Sequence, residues 1–528
     1  MGIYLNPGNI GFRTVRRTTY VDKTGLIAEI NRRIGSMEKL VCISRPRRFG
    51  KSFAAKMLCA YYDHSCDSAE LFDDLDIARD ASYREHLNQY DVIYLDITSF
   101  MSGILQEEIL QTITKDVQKD IQKAYPDVAV EDTLANTLVN VVESTGRQFV
   151  MIIDEWDALI RDSDISAALQ KDYLQFLRQL FKNSQTTDKV FAAAYMTGIL
   201  PIRKDGTQSA VSEFREYNML APKKFQSYVG FTEDEVKVLC RENAVDFSMM
   251  KKWYDGYSFD VEKSVYNPNS VMRALEESKF KSYWQMSSAT DSLVSWINMD
   301  YHSLGTVTPK LLAGIDIPVN VRKFQNDLRS FRSADDVLTL LIHFGYLNYD
   351  AETETVRIPN EEIRDEFADM VRDVTHTETI RRVQESDRLI ADTIAGDESA
   401  VAEQLEKIHR EECAPILYNN EQALRSVVKL AYFAYRDYYM KMEEIPSGTG
   451  IADIVYLPRP AIGVPALVIE LKWNETAEGA IAQIKNRHYP DILKNYASEI
   501  LLIGISYDKN DKEKKHSCRI ESWSVEHE

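Results

Sequence analysis

Ser44-Arg45-Pro46-Arg47-Arg48-Phe49-Gly50-Lys51-Ser52 is the stretch on which the fold of this chain turns. The apolar run before it, Leu40-Val41-Cys42-Ile43, reads as a buried strand, and Phe53-Ala54-Ala55-Lys56-Met57-Leu58 after it reads as a helix start. A strand, a tight loop ending Gly-Lys-Ser and a helix form the context of a phosphate-binding loop, whose backbone N–H groups and helix N-terminus face an anion. In that reading Lys51 reaches the β/γ-phosphates of ATP and the Ser52 hydroxyl sits on Mg2+. Arg45 stands where the first glycine of G-x-x-x-x-G-K-[ST] belongs, so the loop begins without glycine's freedom at positive φ. Arg45, Arg47 and Arg48 are candidate side-chain donors to phosphate, and Gly50 completes the nucleotide-contact set. The competing reading is a basic surface turn before an ordinary helix.

The 528 residues suffice for roughly three domains with sizeable cores. A hydrophobic content of 44% and a charged content of 27% are ordinary for a soluble globular protein. Six scattered cysteines (Cys42, Cys59, Cys66, Cys240, Cys413, Cys518) form no C-x-x-C pair. They read as small buried hydrophobes in a reducing compartment, not as zinc ligands or a disulfide framework. Met1-Gly2-Ile3-Tyr4-Leu5-Asn6-Pro7 lacks a basic flank followed by an apolar core, so no signal peptide is expected. No apolar run approaches the ~20 residues that span a bilayer. A cytoplasmic enzyme or regulator with no membrane partner is therefore the expectation.

Charge is unevenly spread. Residues 1–56 carry twelve Lys/Arg and three Asp/Glu, a net of +9 in a chain of net charge −19, which leaves −28 on the rest. Such an acidic body repels nucleic acid unless a basic groove or a bound metal overrides the field. The basic segment can serve nucleotide phosphates or a nucleic-acid backbone.

Taken in order, Asp22 precedes a helical stretch, Gly25 to Arg33, and is a credible N-cap; the functional alternative lays this segment across the nucleotide base. Residues 92–97 read as the next strand, and 104–124 as an amphipathic helix ending before Pro126. Phe149-Val150-Met151-Ile152-Ile153 is of buried-strand type and ends in Asp154-Glu155-Trp156-Asp157. An apolar strand delivering two consecutive carboxylates suits the second half of a P-loop ATPase site. There Asp154 holds Mg2+ and Glu155 orients or deprotonates the attacking water. Solvated acids at a strand end are the bland alternative. Residues 176–181 read as helix, and 190–196 as a strand reaching Thr197-Gly198-Ile199. Thr197 reads either as a γ-phosphate sensor or as a helix cap. The alternation predicts a mainly parallel sheet covered on both faces.

Together, Tyr20-Val21-Asp22-Lys23-Thr24, the Arg45–Ser52 loop, Asp154-Glu155-Trp156-Asp157 and Thr197-Gly198-Ile199 resemble the bacterial AAA-ATPase-like family. Gly230-Phe231-Thr232-Glu233-Asp234-Glu235-Val236, Trp253-Tyr254-Asp255-Gly256-Tyr257-Ser258-Phe259, Tyr266-Asn267-Pro268 with Ser270, and Tyr283-Trp284 extend the resemblance over residues 3–300. In that family an Arg-Pro-Arg-Arg loop is the usual form, while Trp156 stands where Tyr is usual. The aromatic block from Trp253 to Phe259 reads as a turn clamped by its own rings onto a core rather than as a base-stacking platform, and Trp284 and Trp296 are read the same way.

The middle predicts irregular helix over 287–332, an apolar helix end at 338–343, two short strands around an acidic turn, and a helix from Glu361 to Arg372. This is a winged-helix-like pattern. Its hairpin carries Asp350, Glu352 and Glu354, which favours a lid or transmission role over DNA binding. His343 reads as a core residue. Residues 373–412 form a charged helical bridge.

Near the C-terminus, Gly448 to Tyr456 reads as a turn entering a strand, and Ala466 to Trp473 as a second strand with Glu470 and Lys472 on one face. A hairpin there brings Asp453 beside them. Asp453 and Glu470 can hold Mg2+, or Mn2+, and Lys472 can position water for phosphodiester attack. With a helix opening at Ala482 and a strand at 500–505, the order resembles the PD-(D/E)XK nuclease superfamily. Matching residue by residue, that resemblance implies Asp453, Glu470 and Lys472 as the core, with Gln483 and Glu421 as accessories. The family's Gly-Arg-x-Asp is Gly450-Ile451-Ala452-Asp453 here, so a basic group is missing at Ile451.

The expected fold class is α/β: a P-loop NTPase parallel sheet (1–230), a helical, winged-helix-like middle (231–375), a helical bridge (376–412) and a restriction-endonuclease-like α/β domain (413–528). The expected function is an ATP-binding, ATP-hydrolysing regulator joined to a Mg2+-dependent nuclease acting on DNA or RNA. The alternatives are a nucleotide-dependent switch or a scaffold whose last domain binds nucleic acid without cleaving it. A protein partner or homo-oligomer is compatible with either, and Arg161, Arg178 and Arg203 are the candidate arginine fingers.

Overall fold

The computed structural model describes residues 2–162, 164–202, 211, 213–284, 304–324, 331, 333–372, 377–412, 421–435, 438–447, 450–459, 463–487, 493, 499–510 and 515–524. The expectations at Arg203, Trp296, Cys413, Gly448 and most of 287–332 lie outside them. The chain divides into two compact units, one comprising Met1–Gln285 with Pro318–Ile363, the other Met286–Ile317 with Arg364–Glu528. Among the described residues no helix is long and apolar enough to cross a membrane.

The first unit is built on five parallel strands: β1 (Leu40–Ser44), β2 (Asp91–Asp96), β3 (Phe149–Asp154), β4 (Phe191–Gly198) and β5 (Arg215–Tyr217), in the order β2-β3-β4-β1-β5. β1, β3 and β4 are buried along their whole length, which is why they read as unbroken apolar runs rather than as alternating patterns. Helices α1 (Lys51–Tyr62), α2 (Ile109–Ala124), α3 (Leu134–Thr145) and α4 (Ala167–Phe181) accompany them. Ile113, Val117, Ile121, Leu138, Val141, Leu177 and Leu180 join the sheet residues in one core. Residues 104–108 do not extend α2; a short 3-10 turn, Gln106–Glu108, precedes it. The outer edge of β2 is closed by the N-terminal segment, where the Asn6 and Tyr94 N–H groups donate to Val92 and Tyr4 carbonyls. That removes an exposed row of unpaired backbone groups.

The Trp253–Phe259 block forms the predicted clamped turn. Tyr254 and Tyr257 are fully buried, and the Tyr257 hydroxyl donates to the Gly345 carbonyl at 2.6 Å. Gly345 ends helix α5 (Ala334–Phe344) at φ +85°, and Pro46 leaves no room for a β-carbon there. The predicted hairpin follows as β6 (Asn348–Asp350) and β7 (Thr355–Arg357), then the helix Glu361–Arg372, within which the division between the units falls at Ile363. His343 is fully buried, as expected of a core residue, and burial lowers its pKa to about 3.

The second unit carries a mixed sheet in chain order: β8 (Tyr439–Ser447), β9 (Gly450–Pro458), β10 (Ala466–Trp473), β11 (Glu499–Tyr507) and β12 (His516–Ser524). Only β10 and β11 run parallel, joined by helix α7 (Ala477–Asn486), which starts at Ala477, ahead of the expected Ala482. Helix α6 (Glu421–Ala431) packs against β10, burying Leu424, Val427, Val428 and Leu430. The fold is thus α/β in both units, with a parallel sheet in the first, helices in the middle and a mixed sheet at the C-terminus.

Candidate active sites

The phosphate-binding loop leaves the end of β1 and turns into α1 at Gly50. Gly50 sits at φ +91°, a region open to glycine without strain, and open space surrounds its missing β-carbon. Arg48 adopts φ +68° just before it. Lys51 folds back across the loop, its Nζ donating to the Arg45 and Pro46 carbonyls at 3.1 and 3.0 Å. It lies 3.3 Å from Glu155 Oε1, at the end of β3 two strands away in the sheet order.

The three loop arginines do different work. Arg45 is fully buried. Its guanidinium donates to the carbonyls of Ser44 and Tyr217 and lies over the Phe259 ring at 5.2 Å. The expectation of three phosphate donors is thus narrowed, because Arg45 supports the loop from the protein interior. Arg48 donates to the Tyr283 carbonyl at 3.2 Å. Arg47 has its pKa lowered by burial and by the nearby Arg161, with the charge of Glu155 opposing.

At the end of β3, Asp154 accepts a hydrogen bond from Thr197 Oγ1 on β4, and the Ser52 hydroxyl lies near it. Burial raises its pKa against the opposing influence of these two hydroxyls. Glu155 adopts φ +51°, and its N–H reaches Thr197 Oγ1 at 3.3 Å. Thr197 therefore links both acids. Burial alone would raise the Glu155 pKa, but Lys51 and Arg161 together outweigh it and hold the group below its usual value. Arg161 bonds Glu155 through Nη2 and lies 2.9 Å from Asp157 Oδ2 through Nε. Asp157 is fully buried, raised by that burial, and accepts the Ile199 and Leu200 N–H groups at 3.1 and 2.8 Å. Sequence reasoning named Arg161 only as one of three candidate fingers; its i,i+4 spacing from Asp157 was the available signal. Arg178 lies on α4.

The Tyr20–Thr24 segment follows its structural reading. Asp22 accepts the Thr24 and Asp76 N–H groups, and Lys23 bonds Glu235 and the Ser227 carbonyl. The sequence reading made Asp22 itself the N-cap; Thr24 holds that position, with Asp22 bracing it.

In the second unit, the β9–β10 register pairs Ile454 with Ile469, and one step further sets Asp453 opposite Glu470. Both acids are buried. Asp453 Oδ2 accepts the Leu471 N–H at 2.8 Å, and Oδ1 is bonded by Arg425 of α6. Gln483 of α7 bridges the other two residues, donating to Glu470 Oε1 and accepting from Lys472 Nζ. Glu470 Oε2 is buried with no hydrogen-bond partner among the described residues. Burial, then the charge of Asp453, pushes the Glu470 pKa up to about 7. Glu421 stands exposed at the start of α6, one turn before Arg425. Arg425 escaped the sequence reading because only the packing of α6 on β10 brings it to Asp453.

Among the described residues no three His, Cys, Asp or Glu side chains converge as a ready metal cage. Two carboxylates, one with an orphaned oxygen, nevertheless suit a hard cation that keeps much of its water. The Ser52 hydroxyl beside Asp154 makes a comparable hard-oxygen pair in the first unit.

Two family models match the chain. Residues 10–208 match the family model of a predicted AAA-ATPase, and residues 419–517 match that of the PD-(D/E)XK nuclease superfamily. An uncharacterized protein in the vnfD 5′ region of Azotobacter chroococcum mcd 1 is 22% identical over 276 residues, which is 50% of each chain. The chain thus spans about half the length of that curated relative. The Aeropyrum pernix ORC2 protein, solved in ADPNP-ADP complexes, superposes with a TM-score of 0.33 at 11% identity, covering 67% of this chain and 96% of its own. The chain is therefore similar to the predicted AAA-ATPase family over residues 10–208 and to the PD-(D/E)XK nuclease superfamily over residues 419–517.

Proposed function

We propose that the protein binds and hydrolyses ATP in its first unit and that its C-terminal sheet carries a divalent-metal-dependent phosphodiesterase for nucleic acid. The observation that carries the first part is the convergence of Lys51, Ser52, Asp154, Glu155 and Thr197 at the C-terminal ends of β1, β3 and β4, where parallel sheets bind their ligands. Lys51, already beside the loop carbonyls, turns to the β/γ-phosphates. Glu155, with its carboxylate ionised and oriented by Arg161, takes the proton of the attacking water. Mg2+ held by Ser52 and Asp154 would neutralise charge on the phosphates.

In the second unit Asp453 and Glu470 would hold Mg2+ or Mn2+, and a bound ion would supply an activated water and charge neutralisation at phosphorus. Lys472, oriented by Gln483, stabilises negative charge on the attacked phosphate. A second reading, binding without cleavage, is favoured by one observation: both Asp453 oxygens are already engaged by protein groups.

The test is to assay Mg2+-dependent ATP turnover and oligonucleotide cleavage in the full chain, its Lys51→Ala variant and its Asp453→Ala variant. Loss of ATP binding in Lys51→Ala, and loss of cleavage with turnover retained in Asp453→Ala, is the expected pattern. ATP binding that survives Lys51→Ala sinks the nucleotide assignment, and absence of cleavage in wild type favours the binding-only reading.

A further inference from the structure

We infer that Arg425 is an exchangeable counterion of the C-terminal site: it holds Asp453 until a divalent cation takes Oδ1, and then contacts a non-bridging oxygen of the substrate phosphodiester. This deepens the proposed phosphodiesterase reading and rests on it.

Four observations converge on this residue. Arg425 bonds Asp453 Oδ1, the oxygen that the Leu471 N–H leaves free. A cation bound between Asp453 and Glu470 must therefore compete with a permanently charged guanidinium for that atom. Glu470 supplies the complementary vacancy in bonding, a buried Oε2 with no hydrogen-bond partner among the described residues. The backbone under Arg425 is fixed, since its neighbours Leu424, Val427 and Val428 are buried. Its side chain retains 19% exposure, so the head can swing without unpacking α6. An arginine released beside a cation-bound phosphate presents the planar fork that pairs two phosphate oxygens at once.

The inference makes two effects move in opposite directions, which a merely structural residue would not do. Asp453-dependent Mn2+ binding is the difference between wild type and Asp453→Ala, measured by calorimetry on the full chain without nucleotide. In Arg425→Ala that binding should tighten by about tenfold, because a competing cation in contact with the ligand is gone. Binding of fluorescent DNA and RNA oligonucleotides in Ca2+ should weaken by about tenfold, and its salt dependence should drop by about one phosphate contact. Arg425→Gln removes the charge while keeping a polar side chain on α6, and should shift both quantities the same way should the alanine variant fold poorly. Mn2+ binding that weakens or stays unchanged in both variants overturns the inference while leaving the metal site intact. Wild-type protein with no Asp453-dependent Mn2+ binding overturns the metal-site reading itself, and the inference with it.

Discussion

Glu155 is held on three sides, by Lys51, by Arg161 and, through its N–H, by Thr197. A carboxylate held that way is ionised and oriented before substrate arrives, which is what a general base requires. Glu155→Gln should keep ATP bound while slowing turnover by about a hundredfold or more, measured as phosphate release under saturating ATP. Wild-type turnover would mean that another group prepares the water. Glu470 behaves in the opposite sense. Between its ordinary value of 4.5 and its raised value of about 7, the unfolded chain has released the proton while the folded protein keeps it. Its contribution to stability is thus greatest in acid and falls as pH rises through that window, by at most about 3 kcal/mol. Glu470→Gln should flatten the fall in melting temperature between pH 5 and 7; an unchanged slope would refute the assignment. Lys51, Asp154 and Glu155 were legible because each follows or ends a strand of unmistakable apolar run. Arg45 was misread because residue type alone points a guanidinium toward phosphate. Its true partners are the carbonyls of Ser44 and Tyr217, the latter 172 residues distant, and no local pattern records them.

The elements around the loop explain why its arginines need not all face a ligand. Phe49 packs edge-on against Tyr257 at 5.2 Å, and Asn267 donates to the Arg47 carbonyl at 3.4 Å. Tyr257 in turn bonds Gly345 at the end of α5. The loop is thus braced by the aromatic turn and by the helix that leads into the β6–β7 hairpin. Tyr257→Phe removes a buried hydroxyl and leaves the Gly345 carbonyl without its donor, at a cost of about 1–3 kcal/mol. The check is chemical denaturation followed through Trp156, which is fully buried among the site elements, together with ATP affinity. A wild-type midpoint would show that the bond is dispensable. At this scale two of the strands that escaped the sequence reading share a physical reason. β8 and β12 lie at the two edges of their sheet. Stretches such as Met440-Lys441-Met442-Glu443 and Cys518-Arg519-Ile520-Glu521 alternate polar residues with apolar ones and so lack a continuous apolar run. The buried β10 and β11 were read without difficulty for the converse reason.

On the scale of the whole molecule, the two compact units are not successive stretches of chain. Residues Met286–Ile317 belong with the C-terminal unit, whereas Pro318–Ile363 return to the first. The helix Leu304–Leu312 packs on Thr377–Ile394, and Thr379 Oγ1 donates to the Gly305 carbonyl at 3.2 Å. A fragment limited to residues 376–528 therefore lacks part of its own core. Fusing residues 304–317 to its N-terminus through a flexible linker should raise its melting temperature and its resistance to proteolysis. Identical melting of the two fragments would show that this segment adds nothing. The same interleaving has a genetic consequence. A single recombination breakpoint inside residues 286–363 splits both units, so neither can be shuffled to a new context as an intact cassette by a cut there. The ATPase-like and nuclease-like halves of this chain are in that sense co-inherited, and sequence change on one side of the crossover is selected against the background of the other.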